Sequence, residues 1–377
     1  MEKNRHLIIT VNVDWFFLSH RLPIALAAKK NGYDVTIAAR DTGRKNEIEQ
    51  HGLKFIDIPF DRSGANPLHE LKCVHILRKL YKQESPDVIH HVTLKASLLG
   101  SLAAKLTKKK NVVNAISGFG YNFTDERKGL KQTVIKSMMK LAFKSNSFHY
   151  IFQNPNDVDD FSGLDFAPDN HIHLIKGSGV DLNQFSYQKE EEKDKVRVIL
   201  PARILYDKGV VEFIEAAKIL KEKLENKAEF ILMGDCDTHN LAGIKEEDLV
   251  KMMAPPYLMW TGFEKDIFSA LKNADIVVLP SYREGLPKSL IEACAVGRPI
   301  VTTDTQGCRE CVQDGYNGFL VPVKDYKELA DKMDILINDR SERERMGLNS
   351  RILAETEFSI ETVVERHLEI YNEMLER

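Results

Sequence analysis

Residues 275–301 read DIVVLPSYREGLPKSLIEACAVGRPIV, and the reading of this stretch decides the fold. DIVVLP, 275–280, is a short run of branched apolar residues bounded by polar ones, the pattern of a strand buried on both faces of a parallel sheet. A helix is predicted to follow at once. Pro287 suits its first position, where a missing N–H costs nothing, and Gly297 suits the stop just past the last apolar residue. PIVTT from Pro299 then supplies the next strand. Glu284 falls in the loop before the helix and Glu292 inside it, so at about 1.5 Å rise per residue the carboxylates lie roughly one and a half turns apart. The N–H groups and dipole of the helix start stand between them as an anion site. Hydroxyl acceptor, phosphate donor, hydroxyl acceptor is the polarity of a nucleotide sugar. The plain alternative is two solvated glutamates on a helix face.

Working outward, the same alternation repeats in both directions. Strand-like runs begin at His6, Tyr33, Leu53, Asp87, Asn111, His149 and His171 in the first half, and at Val196, Glu229, Leu258, Asp275, Pro299 and Gly318 in the second. Helical patterns separate them, which predicts an α/β chain with two doubly wound, Rossmann-like parallel sheets and a cleft between them. YQKEEEKDK from Tyr187 is almost free of apolar residues and reads as the linker. The domains expected are therefore 1–186 and 187–359, with the amphipathic segment 360–377 crossing back onto the first.

Length supports the division, because 377 residues exceed what one core usually serves. No window approaches the apolar run of a membrane-spanning helix. LIITVNVDWFF from Leu7 is interrupted by Asp14 and lacks a small-residue cleavage site, so it reads as a buried strand rather than a secretory signal. A cytoplasmic protein is expected. Five cysteines fit free thiols, and Cys308 with Cys311 form a C-x-x-C that lacks the second pair a zinc site needs. The halves differ in charge: residues 1–186 hold 26 Lys and Arg against 19 Asp and Glu, the remainder 27 against 37. RKGLKQTVIKSMMKLAFK from Arg127 spaces Leu130, Val134, Met138 and Leu141 helically, with Lys128, Lys131, Lys136, Lys140 and Lys144 around them. Such a helix can lie on an anionic membrane or pack on its own sheet. Nucleic acid is excluded, since the cations are not interleaved with stacking aromatics.

A second constellation lies in ILPARILYDKGVVEFIEAAKIL from Ile199. Arg203 and Lys208 occupy the loop after a strand, and Gly209 opens the next helix. Ligands of open α/β sheets bind beyond the carboxyl ends of the strands, and two cations there suit a diphosphate, Arg as a fork and Lys as a point charge. Either cation alone would read as surface charge in a turn.

The run EGLPKSLIEACAVGRPIV, preceded by ARILYDKG and followed by Gly307, Glu310 and DGYNGFLVP, resembles the nucleotide-sugar domain of the retaining family 4 glycosyltransferases of GT-B fold. HVTLKASLLGSLAAK from His91, SGFGYNF from Ser117, FQNPNDV from Phe152 and KGSGVDLNQF from Lys176 are similar to a bacterial branch that builds surface glycans. That resemblance implies two Rossmann-like domains facing each other across a cleft. It further implies a UDP-activated hexose or N-acetylhexosamine as donor, and a glycan or polyprenyl-diphosphate-linked acceptor. No cofactor and no metal are implied, and a peripheral station on the inner face of the membrane is.

The resemblance also implies residue roles. Arg203 and Lys208 grip the diphosphate, Glu292 the ribose hydroxyls and Glu284 the donor sugar, while backbone N–H groups of Gly285, Leu286, Pro287 and Lys288 mark the stretch touching sugar and distal phosphate, Pro287 contributing none. The base is placed near Phe263 to Asp266, and His91 beside the donor sugar with Lys95 nearby on the acceptor side, although His90 and His91 alternate faces and at most one points to a cleft. Many relatives have a glycine pair in the first loop where this chain has VDWFFLSHR from Val13. Asp14, Ser19, His20 and Arg21 are then acceptor-side candidates beside an apolar entrance, or Arg21 starts a helix and Phe16 and Phe17 fill the core. Transfer is expected on the face from which the diphosphate leaves. Asp235 and Asp237 have D-x-D spacing, but activity is expected to survive EDTA. A UDP-sugar 2-epimerase and a non-catalytic nucleotide-sugar-binding partner are the alternatives.

Overall fold

Branched apolar runs closed by polar residues become strands three to nine residues long, the central ones buried on both faces, and both halves of the chain are built from them. The computed structural model describes residues 5–61, 66–117, 130–237, 240 and 242–376, with 130–136 described by backbone alone. It divides into two units, Met1–Ser178 with Glu361–Arg377, and Gly179–Ile360.

Unit 1 runs β1 (Arg5–Val13), α1 (Asp14–His20), α2 (Leu22–Lys30), β2 (Tyr33–Arg40), α3 (Lys45–Gln50), β3 (Lys54–Asp57), α4 (Pro67–Glu84), β4 (Val88–Val92), α5 (Leu94–Leu106), β5 (Val112–Ala115), α6 (Leu130–Phe143), β6 (Phe148–Phe152), α7 (Pro155–Ser162) and β7 (Ile172–Leu174). The sheet is parallel in the order β3-β2-β1-β4-β5-β6-β7. α4, α5 and α6 cover one face through Leu77, Leu99, Ala103 and Phe143. α2 and the C-terminal helix, Ile360–Leu375, cover the other through Ile24, Ala28, Ile370 and Tyr371.

Unit 2 runs β8 (Val196–Pro201), α8 (Val210–Leu224), β9 (Ala228–Met233), α9 (Glu246–Met252), β10 (Leu258–Trp260), α10 (Ile267–Asn273), β11 (Ile276–Leu279), α11 (Lys288–Val296), β12 (Ile300–Thr303), β13 (Gly318–Val321), α12 (Tyr326–Asn338) and α13 (Arg340–Glu357). Its parallel sheet has the order β10-β9-β8-β11-β12-β13. The order reverses between β8 and β11, and the loops carrying both predicted constellations leave those two strands.

Four local expectations need correction. The polar stretch from Tyr187 is strapped to unit 2: Gln188 donates its backbone N–H to Val296, Glu190 holds Arg343 at 2.6 Å and Lys193 holds Asp275 at 2.8 Å. Its charges read as solvated because their partners lie more than 80 residues away. The boundary accordingly falls at Ser178, since Val180 and Phe185 are core residues of unit 2. Pro287 caps α11 from the N-cap position instead of starting it, while Gly297 ends it in the left-handed conformation. Within VDWFFLSHR, Asp14–His20 form α1 rather than a loop. On α6 the buried face is Met139, Ala142 and Phe143, leaving Met138 and Leu141 exposed. The side chains of Leu130, Val134, Lys131 and Lys136, together with Lys128 and the stretch after Ser117 in SGFGYNF, lie outside the described residues.

Beneath the C-terminal helix, unit 1 buries an unusual polar layer. The Tyr371 hydroxyl lies 2.6 Å from His90 Nδ1, the His90 and His367 rings are 5.5 Å apart, and Arg21 is buried beside them with its guanidinium held down to about 10 by burial. Burial first, and then Arg21, holds His367 near a pKa of about 3, and burial holds His90 well below the ordinary value. These imidazoles are neutral when folded and titrate normally when unfolded, so unfolding takes up protons in acid. Their stabilisation is complete above about pH 6.5 and is lost as the pH falls below it, at up to about 1.4 kcal/mol per pH unit for each histidine. Denaturant unfolding between pH 7 and 5 should show this slope, and His367→Phe should flatten it. An unchanged slope in the variant would show that the layer does not titrate with folding.

Candidate active site

Three loops of unit 2 converge at the carboxyl edge of β8, β11 and β12. The loop after β8 ends at Gly209, whose positive φ of 71° lets α8 begin where a Cβ would stand 2.1 Å from the carbonyl oxygen of Pro280. The loop after β12 passes Gly307, where a Cβ would lie 2.6 Å from the carbonyl oxygens of Glu284 and Gly285. Hydrogen bonds fix the contact: Tyr282 N–H donates to Asp207 O at 2.9 Å, the Ser281 hydroxyl donates to Asp207 O at 3.0 Å, and Glu284 N–H donates to Gln306 O at 3.1 Å. The Thr305 hydroxyl donates to Tyr282 O at 3.0 Å. The backbone around Glu284 is thus clamped from both sides.

Five of the predicted residues stand in ion pairs here, and the loops bring two of them, Lys208 and Glu284, together. Lys208 Nζ contacts Glu284 Oε1, with both side chains largely covered. Arg203 Nη1 donates to Asp237 Oδ2 at 3.0 Å, and Lys288 Nζ stands 3.4 Å from Glu292 Oε1 on α11. Burial raises the Glu292 pKa and Lys288 offsets part of that rise. A buried carboxylate paired with one cation through one oxygen has acceptor capacity to spare, which suits hydroxyl donors. Glu284 lies just before the α11 N-terminus and Glu292 on its second turn, so the anion-attracting end of the helix stands between them. Phe263, after β10, is 64% exposed and available for stacking. Beside it a cavity of about 240 Å³ is lined by Arg197, Met233, Glu264, Asp266, Ser269, Ala270 and Asn273. It shares Glu264 and Asp266 with the stretch expected near a base but none of these ion-paired residues.

Two contributors escaped the sequence reading. Asp237 is the carboxylate that holds Arg203; its D-x-D spacing was visible, its partner was not. Tyr282 donates its hydroxyl to Glu212 at 2.7 Å and lies under Lys324 at 4.9 Å, and nothing in the local sequence announces that contact. Behind the loop, Cys308 and Cys311 are free and buried, and burial pushes the Cys308 thiol up to about 12.

The predicted residues of unit 1 fare differently. His91 is completely buried: its Nδ1 lies 2.8 Å from Asn114 Oδ1, its Nε2 2.9 Å from the Tyr81 hydroxyl, and burial lowers its pKa to about 4. With both nitrogens engaged under α4 and α5, it braces β4 and offers no atom to a ligand. His90 is buried under the C-terminal helix on the opposite face, so neither member of the pair reaches solvent. The Asp14 carboxylate is buried and accepts from Trp15 N–H at 2.7 Å, Thr42 N–H and hydroxyl at 2.6 Å, and Arg44 N–H at 3.1 Å. Burial works to raise its pKa, but those donors outweigh it and the net shift is downward. Asp14 therefore ties the loop after β2 to α1. Arg21 caps α2 from a buried position, and Phe17 is core, as the plainer reading of that segment had it. Ser19 is exposed, and His20 stacks on Phe16 at 4.1 Å. Lys95 pairs with Glu70 at 2.6 Å and donates to Asp61 O at 2.6 Å.

Comparison with known proteins decides the family. Residues 183–352 match the model of glycosyl transferases group 1, and 6–154 match that of glycosyl transferase 4-like proteins. A Campylobacter jejuni protein named N,N'-diacetylbacillosaminyl-diphospho-undecaprenol alpha-1,3-N-acetylgalactosaminyltransferase is 32% identical over 95% of this chain and 98% of its own. The chain belongs to the group 1 glycosyltransferases. An Escherichia coli UDP-Gal:alpha-D-GlcNAc-diphosphoundecaprenol alpha-1,3-galactosyltransferase is 25% identical over 91% of this glycosyltransferase and 90% of its own chain. Among solved structures, Anabaena HepE in complex with UDP and glucose superposes with a TM-score of 0.77, 20% identity and coverage of 96% and 98% of the two chains. The fold is GT-B.

The packing of Gly209 against Pro280 generates a prediction about this glycosyltransferase. Gly209→Ala places a Cβ in the left-handed region and against a carbonyl oxygen, so it should cost at least about 1–2 kcal/mol. Thermal unfolding should register that as a lowered Tm. An unchanged Tm would mean the loop carrying Arg203 and Lys208 is not seated on β11.

Proposed function

We propose that this glycosyltransferase moves a hexose or N-acetylhexosamine from a UDP-sugar to a sugar borne on a polyprenyl diphosphate, with retention of configuration and without a metal. Convergence of Arg203, Lys208, Glu284 and Glu292 on one sheet edge carries the reading. The relatives add weight, because the Campylobacter jejuni and Escherichia coli proteins are both named for acceptors on an undecaprenol diphosphate and the latter for a UDP-sugar. A Staphylococcus aureus relative, 29% identical over 99% of the chain, is named for capsular polysaccharide biosynthesis. Surface glycan assembly is the matching role. It places the protein at the inner face of the cytoplasmic membrane.

In this mechanism donor binding is an exchange of partners. Arg203 and Lys208 leave Asp237 and Glu284 for the diphosphate. Glu284, freed of Lys208, accepts hydroxyl hydrogens of the donor sugar, and Glu292 accepts those of the ribose. As the bond from the anomeric carbon to the phosphate oxygen breaks, the two cations and the start of α11 stabilise the departing negative charge. The acceptor hydroxyl attacks the same face, its oxygen bonds the anomeric carbon, and its proton passes to the departing phosphate oxygen. Cations fixed in place of a metal suffice for the leaving group. Ser19 and His20 on α1 and Lys95 on α5 remain acceptor-side candidates.

A panel of nucleotide sugars offered with a polyprenyl-diphosphate-linked sugar and read by mass spectrometry tests the activity, and product anomeric configuration tests retention. Glu284→Ala should lower turnover on the order of 100-fold with UDP affinity little changed. Glu292→Ala should instead weaken UDP binding about tenfold. The rate should survive EDTA. Full transfer by Glu284→Ala, or a rate abolished by EDTA and restored by Mn²⁺, would defeat the corresponding assignment.

A further inference from the structure

An ion pair ties Lys208 to Glu284 across two loops, and the exchange of partners proposed above dissolves that pair at the moment the donor arrives. Glu284 must then keep its place without Lys208. A second side-chain contact joins the same two segments of chain. Tyr282, two residues before Glu284, donates its hydroxyl to Oε1 of Glu212 at 2.7 Å, and Glu212 follows Lys208 by four residues on the first turn of α8.

Local structure explains why Glu212 is free to do this. It is the third residue of α8, the position from which a glutamate commonly reaches back to the N–H of the N-cap residue. Here the N-cap is Gly209, whose N–H is spent on Tyr206 O at 3.1 Å, and the carboxylate turns to Tyr282 instead. Glu212 is 8% exposed and its Oε2 is buried without a partner, so this carboxylate depends on the phenol as its side-chain donor. The start of α8 favours its negative charge. Lys324 Nζ, after β13, lies 4.9 Å from the centroid of the Tyr282 ring and brings a third segment to the same contact.

The two ties differ in how they answer a diphosphate. Lys208 is a cation and is drawn toward the new charge. The Tyr282 phenol is neutral, and burial first, then the bond to Glu212, raise its pKa, so it stays protonated and offers the diphosphate no charge to draw on. We propose that Tyr282 and Glu212 are positioning residues: their hydrogen bond holds the loop before α11 on the first turn of α8 while Lys208 changes partners, and so keeps Glu284 in place for the donor sugar. The assignment rests on the partner exchange of the proposed mechanism. Backbone and hydroxyl bonds from Tyr282 and Ser281 to Asp207 O reach only the loop that carries Lys208. Glu212 belongs to a 15-residue helix, the more rigid anchor for a group that has to be held to a fraction of an ångström.

Kinetics on the full chain test the assignment. Tyr282→Phe should lower kcat at least about tenfold while UDP affinity, read by calorimetry, changes less than about twofold. Glu212→Leu should behave in the same way, and Glu212→Gln, which keeps an oxygen for the phenol, should retain most of the turnover. A double-mutant cycle separates positioning from a merely structural part: in the Glu284→Ala background Tyr282→Phe should cost nothing further, because the group it positions is gone. Turnover unchanged in Tyr282→Phe, or its full loss repeated in the Glu284→Ala background, would overturn the proposal. Hydrogen exchange of segment 281–286 supplies a readout that needs neither turnover nor a variant that folds well. On addition of UDP the wild-type segment should keep its protection, and Tyr282→Phe should lose it; a wild-type segment that loses protection with UDP would also overturn the proposal. A wild type that transfers no sugar while its loop stays held defeats the proposed activity alone. A wild type that transfers, matched by Tyr282→Phe in rate and exchange, defeats this positioning role alone.

Discussion

Parallel strands deliver their carboxyl ends to one edge, and a site can be assembled there from residues far apart in sequence if the loops can be brought into contact. In unit 2 that condition is met by the backbone before any side chain matters. Gly209 accepts the carbonyl of Pro280 where a Cβ would collide, and hydrogen bonds from Ser281, Tyr282 and Glu284 tie the loop after β11 to those after β8 and β12. Lys208 and Glu284, 76 residues apart, meet only because of this seam. Everything chemical in the unit hangs on it.

The same loops show why the resting site is electrostatically quiet. Each cation assigned to phosphate already faces a carboxylate, Arg203 with Asp237 and Lys208 with Glu284. A partly buried cation left without a counter-charge would destabilise the fold, so a site that must hold a diphosphate on some occasions needs a substitute anion on others. Carboxylates serve in that role because they do not fill the phosphate's place permanently. On the proposed reading the same carboxylate, once released, serves as a hydroxyl acceptor, so one residue answers to both the empty and the loaded site.

The strands were legible because burial on both faces writes itself as an uninterrupted apolar run, and each run named from the sequence lies in or overlaps a strand of one of the two sheets. Glu284 and Glu292 were legible for a related reason, since their positions follow from where β11 ends and α11 starts. What stayed hidden depends on distant partners. The charges from Tyr187 look solvated until Arg343 and Asp275 are placed beside them, and the Asp235–Asp237 spacing says nothing about Arg203. His91 resembled a ligand-facing residue because a strand end is where such residues occur. Asn114 and Tyr81, which occupy its two nitrogens, come from β5 and α4 and carry no local mark.

Unit 1 shows the converse relation between burial and function. Its candidates nearest the strand ends, Asp14, Arg21 and His91, are all buried, and Asp14 and His91 spend their hydrogen-bonding capacity inside the unit. A carboxylate that accepts four donors cannot also orient an incoming hydroxyl without giving one up. On the proposed reading, acceptor recognition by unit 1 falls to side chains at its surface. On the proposed reading unit 2 keeps its ligand groups in exchangeable pairs, whereas unit 1 commits its buried polar groups to architecture.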